Sequence, residues 1–520
     1  MLATGALTEE SGSDQAPPAV GPGPVGHWTY RTGLALIGVQ FAGLVVLSVF
    51  TFRRFTLGID FGIFSQAWTL IGTGHLNPTS TLNGMPYLKS HFELIMWPLA
   101  LLHLAVHSSY VLLFVQVVAL VGTEIVVFTW VTSLLRQSTL SSPWLVAVSA
   151  GTVLLLLADP VVYSTVVEDF HFEAVATFFV VCAAFDLWSG RTRRMWVWVV
   201  LCLLCGDIGG LYVLGLGLSG VVVGGKRREG LGLLVVGLAW VGLISALGDN
   251  QGSDVTTGYA YLAGRSVLPS GVSGLWLLVL GVVAHPDRGW QIAESRVGTA
   301  GRYLLSGGGV GVLTPWGFGV PLVALGTSLL QYNGIFIGIP FQNVVVNPFV
   351  TFGSAWLVVW LAVRARTVAV TGLAVVIGVL AVVGGAVESA QRMPTALNAN
   401  ASAGFVPGPD AAALALTLSR TPADAQVVAP LPTVGRFSQR RFVYLLTDQP
   451  AGAAPPVPVS ARTVVVVVDP TVTPSLLPPT VAAALVEQLE HAGARVIVSS
   501  PGVTSLLWHP PPGVTSFRLP

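Results

Sequence analysis

Several runs of about 18 to 25 residues in this chain are almost free of charge, and nothing else in it limits the fold so sharply. Residues 33–50, 111–135 and 368–387 are long and apolar enough to cross a hydrocarbon layer, which takes about 20 helical residues. Lipid offers no water to exposed peptide groups, so each run must satisfy its own backbone. Continuous rather than alternating apolarity makes the runs helices and not barrel strands. Only 9% of the 520 residues are charged, against about 25% in ordinary soluble domains. We therefore expect an α-helical polytopic membrane protein with about 11 transmembrane helices. A net charge of +1 without a basic stripe gives no reason to expect nucleic acid as a partner. The three cysteines, Cys182, Cys202 and Cys205, all lie in apolar stretches. The Cys202/Cys205 spacing lacks a second pair or a nearby histidine, so these read as buried thiols acting as small hydrophobes.

Residues 1–27, rich in Gly, Pro and Ser, read as a disordered cytoplasmic tail, and the first apolar run reads as a retained signal anchor. Residues 28–390 form the expected transmembrane domain, with a first outer loop over 53–109, and residues 391–520 an extracytoplasmic domain. Orientation follows from the basic clusters at Arg136, Arg191/Arg193/Arg194, Lys226/Arg227/Arg228 and Arg364/Arg366, which belong on the cytoplasmic side. Expected spans then fall at 33–52, 110–134, 142–159, 172–189, 195–207, 208–224, 229–247, 272–285, 303–329, 345–363 and 367–388. Residues 93–107, apolar but short and carrying Pro98, His103 and His107, are expected to lie along the outer surface without crossing.

In a chain so poor in charge, ionisable groups gathered at the membrane edge point to function. One cluster comprises Asp60, Gln66, Lys89, His91 and Glu93 in the first outer loop; a second comprises Glu168, Asp169, His171 and Glu173. Asp60 precedes a helical stretch and is read as a helix cap, a catalytic carboxylate, or both. His171 taken alone is a wetted loop histidine. Convergence of carboxylates, histidines and a lysine from separate loops is what acid/base chemistry or metal binding needs. Asp207, in Cys205-Gly-Asp-Ile-Gly-Gly210, adds a carboxylate at a glycine break, where it reads equally as a cap. Arg53 and Arg54 stand at the outer end of the first span, placed either to pair with phosphate or to anchor on lipid headgroups.

The string Leu57-Gly-Ile-Asp-Phe-Gly-Ile-Phe-Ser-Gln66, with Gly74, Tyr87-Leu88 and His91-Phe92, resembles the opening signature of the domain-of-unknown-function 2079 family of prokaryotic membrane proteins. Phe170-His-Phe-Glu-Ala174 and Gly206-Asp-Ile-Gly-Gly210 resemble its later blocks, although the family more often has Lys-Glu-Asp where this chain has Cys205, Gly206 and Asp207. Ala423-Asp-Ala-Gln-Val-Val428, Arg440-Arg-Phe-Val-Tyr444 and the stretch 464–469 resemble its usual ending. That family in turn resembles the type C (GT-C-like) glycosyltransferases, which take a sugar from a polyprenyl-phosphate carrier outside the membrane. The resemblance implies Asp60 as general base toward the acceptor, and Glu168 or Asp169 as the group that orients the acceptor or helps hold a divalent cation (Mg or Mn). It implies Lys89 and His91 facing the donor phosphate. Its implied partners are membrane lipid, a polyprenyl-phosphate-linked sugar and an extracytoplasmic glycan, lipid or protein acceptor, and its implied place is the bacterial plasma (inner) membrane and cell envelope. No tight metal-ligand spacing such as His-Glu-x-x-His is present.

Beyond about residue 390 proline and polar residues replace the long apolar runs. Short β-rich stretches at 427–430, 442–446, 464–468 and 495–498, and a helical pattern over 479–491, predict a small α/β unit with parallel pairing. It carries no phosphate-binding loop or nucleophile elbow, and is expected to cap the outer cleft or bind the acceptor. Two other classes compete with the enzyme reading. A transporter or flippase for a lipid-linked or small polar substrate calls for polar residues near the midplane and internal repeats, and no repeat is evident. A structural or sensory protein leaves both acidic clusters unexplained.

Overall fold

The computed structural model describes residues 24–247, 258–269, 272–332, 335–365, 367–397, 406, 408–446, 456–469 and 478–518. The expected tail over 1–27 lies outside these residues up to position 23, and so does Arg366; residues 24–27 already belong to the first helix. That helix, α1 (Pro24–Arg53), is followed by α2 (Ile59–Gly72), a small ribbon of β1 (Thr79–Ser80) and β2 (Met85–Pro86), and the short helices α3 (Tyr87–Ser90) and α4 (Met96–Ala100). The bundle continues with α5 (Tyr110–Arg136), α6 (Ser142–Leu157), α7 (Pro160–Val167), α8 (Phe172–Trp188), α9 (Thr192–Leu203), α10 (Asp207–Val222) and α11 (Arg227–Leu247). Its second half holds α12 (Val272–Ala284), α13 (Pro286–Glu294), α14 (Val297–Ser306), α15 (Pro315–Leu330), α16 (Ile335–Gly338), α17 (Val346–Arg364) and α18 (Val368–Leu397). Six helical stretches among the described residues are long and apolar enough to cross a membrane, and α10 and α15 are shorter apolar helices. The chain is a polytopic helical membrane protein.

Two expected spans are built differently. The stretch 303–329 is not one helix: α14 ends at Ser306, Gly308 and Gly309 take positive φ of 90° and 68°, and α15 starts afresh at Pro315 under a Thr314 cap. A proline ring and left-handed glycines cannot continue an α-helix, so the break is local in origin. The expected span 142–159 coincides with α6 and its cap, and just past the cap the Asp159 carboxylate accepts the Val161 N–H at 3.1 Å and starts α7. Within 195–207, α9 stops at Leu203, and its 12 residues are too short to cross alone. Residues 93–107 hold only the five-residue α4 and one 3-10 turn over Leu101–Leu104, far short of a span. They brace α2 instead: the Trp68 indole donates to the Leu99 carbonyl at 3.0 Å, and the Trp68 and His103 rings meet edge to face at 4.6 Å.

The basic clusters lie at one end of the bundle. Arg136 stacks on Tyr30 near the start of α1, Arg191 and Arg194 pair with Asp186 at the end of α8, and the Lys226 ammonium lies near Gly190. Arg53, Glu173 and Asp207, on α1, α8 and α10, occupy the opposite end.

Helix α18 runs on to Leu397, past the boundary expected at 390. The C-terminal unit contains α19 (Gly408–Arg420), β3 (Gln426–Pro430), β4 (Val443–Leu446), β5 (Val457–Pro458), β6 (Val464–Val468), α20 (Pro479–His491), β7 (Arg495–Ser499), β8 (Thr504–Trp508) and β9 (Ser516–Phe517). Its five-stranded sheet has the order β4-β3-β6-β8-β7. The expected parallel pairing holds for β3 with β4 and β6, but β8 inserts antiparallel between β6 and β7, so the sheet is mixed. Strand β6 explains its unbroken valines: Val465 and Val467 pack under one face with Phe55 and Phe437, while Val464, Val466 and Val468 pack under the other with Leu485 and Leu489. Because Phe55 belongs to the loop between α1 and α2, one face of the sheet closes directly on that loop.

Candidate functional site

The end of the bundle opposite the basic clusters is organised by helix α2. Its cap position is Gly58, and the open amides at its start are satisfied from another element: the Asp169 carboxylate accepts the Gly58 N–H at 2.8 Å and the Phe61 N–H at 3.3 Å. The expectation that Asp60 caps this helix is therefore corrected. Asp60 occupies the second helical position, and no described residue hydrogen-bonds its carboxyl. The α7–α8 loop that carries Asp169 is itself fixed by Gln116 of α5, whose amide donates to the carbonyls of Thr165 (2.9 Å) and Asp169 (3.1 Å) and accepts the His171 N–H at 2.6 Å.

Around Asp60 gather His91, from the turn after α3, Glu93 just beyond it, and the first-turn residues Glu173 of α8 and Asp207 of α10. The His91 Nδ1 lies 3.6 Å from Glu93, and the Tyr87 hydroxyl donates to the other Glu93 oxygen at 3.2 Å. Glu173 accepts from the Gln342 amide at 2.7 Å. Gly206 shapes this corner: its φ of 93° would strain any residue with a Cβ, which would also press on the Glu93 side chain. Without a side chain there, Asp207 opens α10 beside Glu93.

Burial raises the Asp60 carboxyl above its usual value, opposed by the charge of His91. For His91 burial works against the cation, but Glu93, Asp60 and Glu173 outweigh it and the net direction is upward. Glu168 and Asp169 are both pushed up to about 7, chiefly by burial and then by neighbouring carboxylates. His171 is pushed down to about 3 by burial, so it stands neutral, stacked on the Phe341 ring at 3.3 Å with its Nε2 unpartnered.

Not every expected residue joins this group. Gln66 is fully buried, and both ends of its amide are used: Nε2 donates to Thr81, Arg440 and Arg441, and Oε1 accepts from Ser80 and Thr81. It straps the C-terminal unit to the first outer loop and has no capacity left for a substrate. Arg54 lies over the Phe50 ring at 5.0 Å and against Gly408, whereas Arg53 and Lys89 are exposed. The donor set does not fit a divalent cation: no group of three His, Cys, Asp or Glu among the described residues is arranged to hold a metal, and both Asp169 oxygens are engaged by backbone amides. Gln116 and Gln342 carry no signal in the sequence. They are polar residues whose partners lie on other elements, and no local pattern marks them.

Fold and site together define a polytopic membrane protein whose ionisable groups converge at one end of a helical bundle, beneath a small mixed-sheet unit. Residues 53–278 match the model of the family described as predicted membrane protein (DUF2079), the stretch that contains Asp60, His91, Glu93, Asp169, Glu173 and Asp207. No curated protein matches the chain. Among solved structures, the crystal structure of ArnT from Cupriavidus metallidurans in the apo state is similar at 13% identity and a TM-score of 0.44, over 92% of this chain and 98% of that one.

Proposed function

We propose that the chain is a GT-C-like glycosyltransferase of the plasma membrane, moving a sugar from a polyprenyl-phosphate donor to an extracytoplasmic acceptor hydroxyl. In this reading the basic end of the bundle and the N-terminus are cytoplasmic, and the C-terminal unit is extracytoplasmic. The observation that carries it is the Asp60 carboxyl: half-buried, without a hydrogen-bond partner among the described residues, and beside His91 at the mouth of the bundle. Asp60 takes the acceptor proton as the acceptor oxygen attacks the anomeric carbon. The bond from that carbon to the carrier phosphate breaks, and the phosphate leaves with the electron pair toward His91 and the exposed Lys89. Asp169 acts as a positioning residue, because it holds the start of the helix that presents Asp60. Glu168, alongside both, is left to orient the acceptor.

The test is transfer from a polyprenyl-phosphate sugar by purified Asp60→Asn. Loss of about 10²- to 10⁴-fold in rate at unchanged thermal stability is the expected result for a general base. Wild-type rates in that variant would reject the assignment. The transport reading has one observation in its favour, the buried Glu124 and Asp159 within the membrane. The cavity they share holds about 10 Å³, too little for a lipid-linked sugar.

A further inference from the structure

We propose that Arg53, Arg54 and Arg436 bind the phosphate group of a membrane lipid at the end of α1, between the helical bundle and the C-terminal unit. Arg53 ends the first apolar span and Arg54 follows it, while Arg436 comes from the 3-10 turn Val434–Phe437 of the C-terminal unit.

The geometry leaves these cations without counter-charge. The Arg436 guanidinium lies 3.6 Å over the Phe52 ring and 5.0 Å over that of Phe55. Its Nε is buried without a partner, and burial lowers its pKa only to about 10, so it stays charged at neutral pH. Arg54 lies over Phe50 at 5.0 Å and beside Gly408 at the start of α19, where the helix dipole is itself positive and supplies no compensation. Arg53, in the last turn of α1, is exposed. None of the three guanidiniums has a hydrogen bond or salt bridge among the described residues. The charges that act on Asp60, Glu168 and Asp169 come from one another and from His91, so the carboxylates of the neighbouring site do not neutralise the arginines.

Place and shape select phosphate. Stacking on Phe52 occupies the face of the Arg436 guanidinium and leaves its N–H edge for an oxygen-rich anion. The three cations stand at the boundary of a membrane span, the level at which lipid phosphates lie. Along the span α1 offers an apolar stripe at helical spacing, with Val39 71%, Val46 69% and Phe50 43% exposed. A lipid whose chain follows this stripe brings its phosphate to the arginines that end it. Because Arg436 belongs to the sheet unit and Arg53 and Arg54 to the bundle, a bound phosphate ties the two together. Phe52 also meets the Phe61 ring edge to face at 6.3 Å, which sets this lipid beside the helix that carries Asp60. The inference rests on the membrane fold and stands independently of sugar transfer.

The experiment uses the full-length protein, stripped of lipid in maltoside detergent. Its thermal midpoint is titrated with dioleoylphosphatidylglycerol and with decaprenyl phosphate, against phosphate-free dioleoylglycerol and decaprenol, and bound lipid is counted by native mass spectrometry. The expected result is a saturable rise in midpoint with the phosphate-bearing lipids and about one tightly held lipid per chain. Tighter binding of decaprenyl phosphate assigns the seat to an isoprenoid carrier, and tighter binding of phosphatidylglycerol assigns it to a phospholipid headgroup. Half-saturation should weaken by about tenfold in Arg436→Gln and again in the double variant Arg53→Gln/Arg54→Gln, each of which removes charge-assisted hydrogen bonds. It should hold in Arg495→Gln, an exposed change on β7. Where Arg436→Gln does not fold, the double variant decides, because Arg53 is exposed and Arg54 only half-buried. Equal stabilisation by the phosphate-free lipids overturns the proposal, as does unchanged half-saturation in the arginine variants. A response lost in Lys89→Gln but kept in the arginine variants places the lipid at the Asp60 site and overturns it too.

Discussion

The Asp169 carboxylate and the Gly58 amide, 111 positions apart in sequence, meet at 2.8 Å, so the α7–α8 loop closes the N-terminus of α2. A second bond to Phe61 makes the contact bidentate. Removing it in Asp169→Ala leaves two largely buried N–H groups without acceptors, at about 1–3 kcal/mol. The thermal midpoint should drop accordingly. Asp169→Asn keeps one acceptor oxygen and should recover about half of the loss. A midpoint equal to wild type in the alanine variant would show that the cap contributes nothing.

The pH dependence of transfer tests the pairing of Asp60 with His91. The His91 charge lowers the Asp60 carboxyl against the larger effect of burial. His91→Gln removes that charge, so the Asp60 pKa rises and the acid limb of the kcat/KM profile moves to higher pH. An acid limb that stays in place would separate the two residues.

The sequence revealed the membrane architecture because lipid leaves so few solutions: long apolar runs must be helices, and the basic residues that bound them collect at one end. It also marked Asp60, His91, Glu93 and Asp207, since charges are rare enough here to stand out. What it hid was the division of labour. Asp60 and Asp169 are both acidic residues next to a helix start, and local sequence favours Asp60 as the cap; only the packing of α7–α8 against α2 hands that role to Asp169. Gln66 looked like a substrate ligand because its partners, Thr81, Arg440 and Arg441, lie in a separate part of the chain. Glu124 was legible in principle, as the single acidic residue inside the apolar run of α5, but a search confined to the loops passes over it.

Stability should fall as pH rises through about 7 and level off above it. Glu168 and Asp169 titrate near 7 in the folded protein, above their ordinary values, so the folded state holds more protons than the unfolded chain until pH passes about 7. Their contribution is complete below the usual carboxylate range and is lost as pH rises through about 7. His91, also raised by folding, has the same sign. His171, pushed down to about 3, works oppositely, but only below the ordinary histidine value of 6.5. From about pH 6.5 to 8 the thermal midpoint should therefore decline, and Glu168→Gln should flatten the slope without abolishing it. A rising midpoint over that interval would contradict the burial of these carboxylates.

The last prediction concerns the strap between the outer loop and the C-terminal unit. Gln66 on α2 offers three amide contacts to Thr81, Arg440 and Arg441 and accepts from Ser80 and Thr81, while Thr81 in turn donates to the Val443 carbonyl at 2.6 Å and accepts its N–H at 2.9 Å. Gln66→Leu fits the volume but leaves the Arg440 and Arg441 carbonyls and the Ser80 hydroxyl without this partner, a cost of about 1–3 kcal/mol for each group that water cannot reach. The sheet unit is still held by the Phe55 and Phe437 rings and by the Gly435 N–H on the Leu57 carbonyl at 3.0 Å, so it should loosen rather than unfold. Limited proteolysis is the measurement: release of the C-terminal unit as a fragment should accelerate in Gln66→Leu while the bundle fragment stays resistant. Equal cleavage rates in variant and wild type would show that the aromatic contacts alone seat the unit.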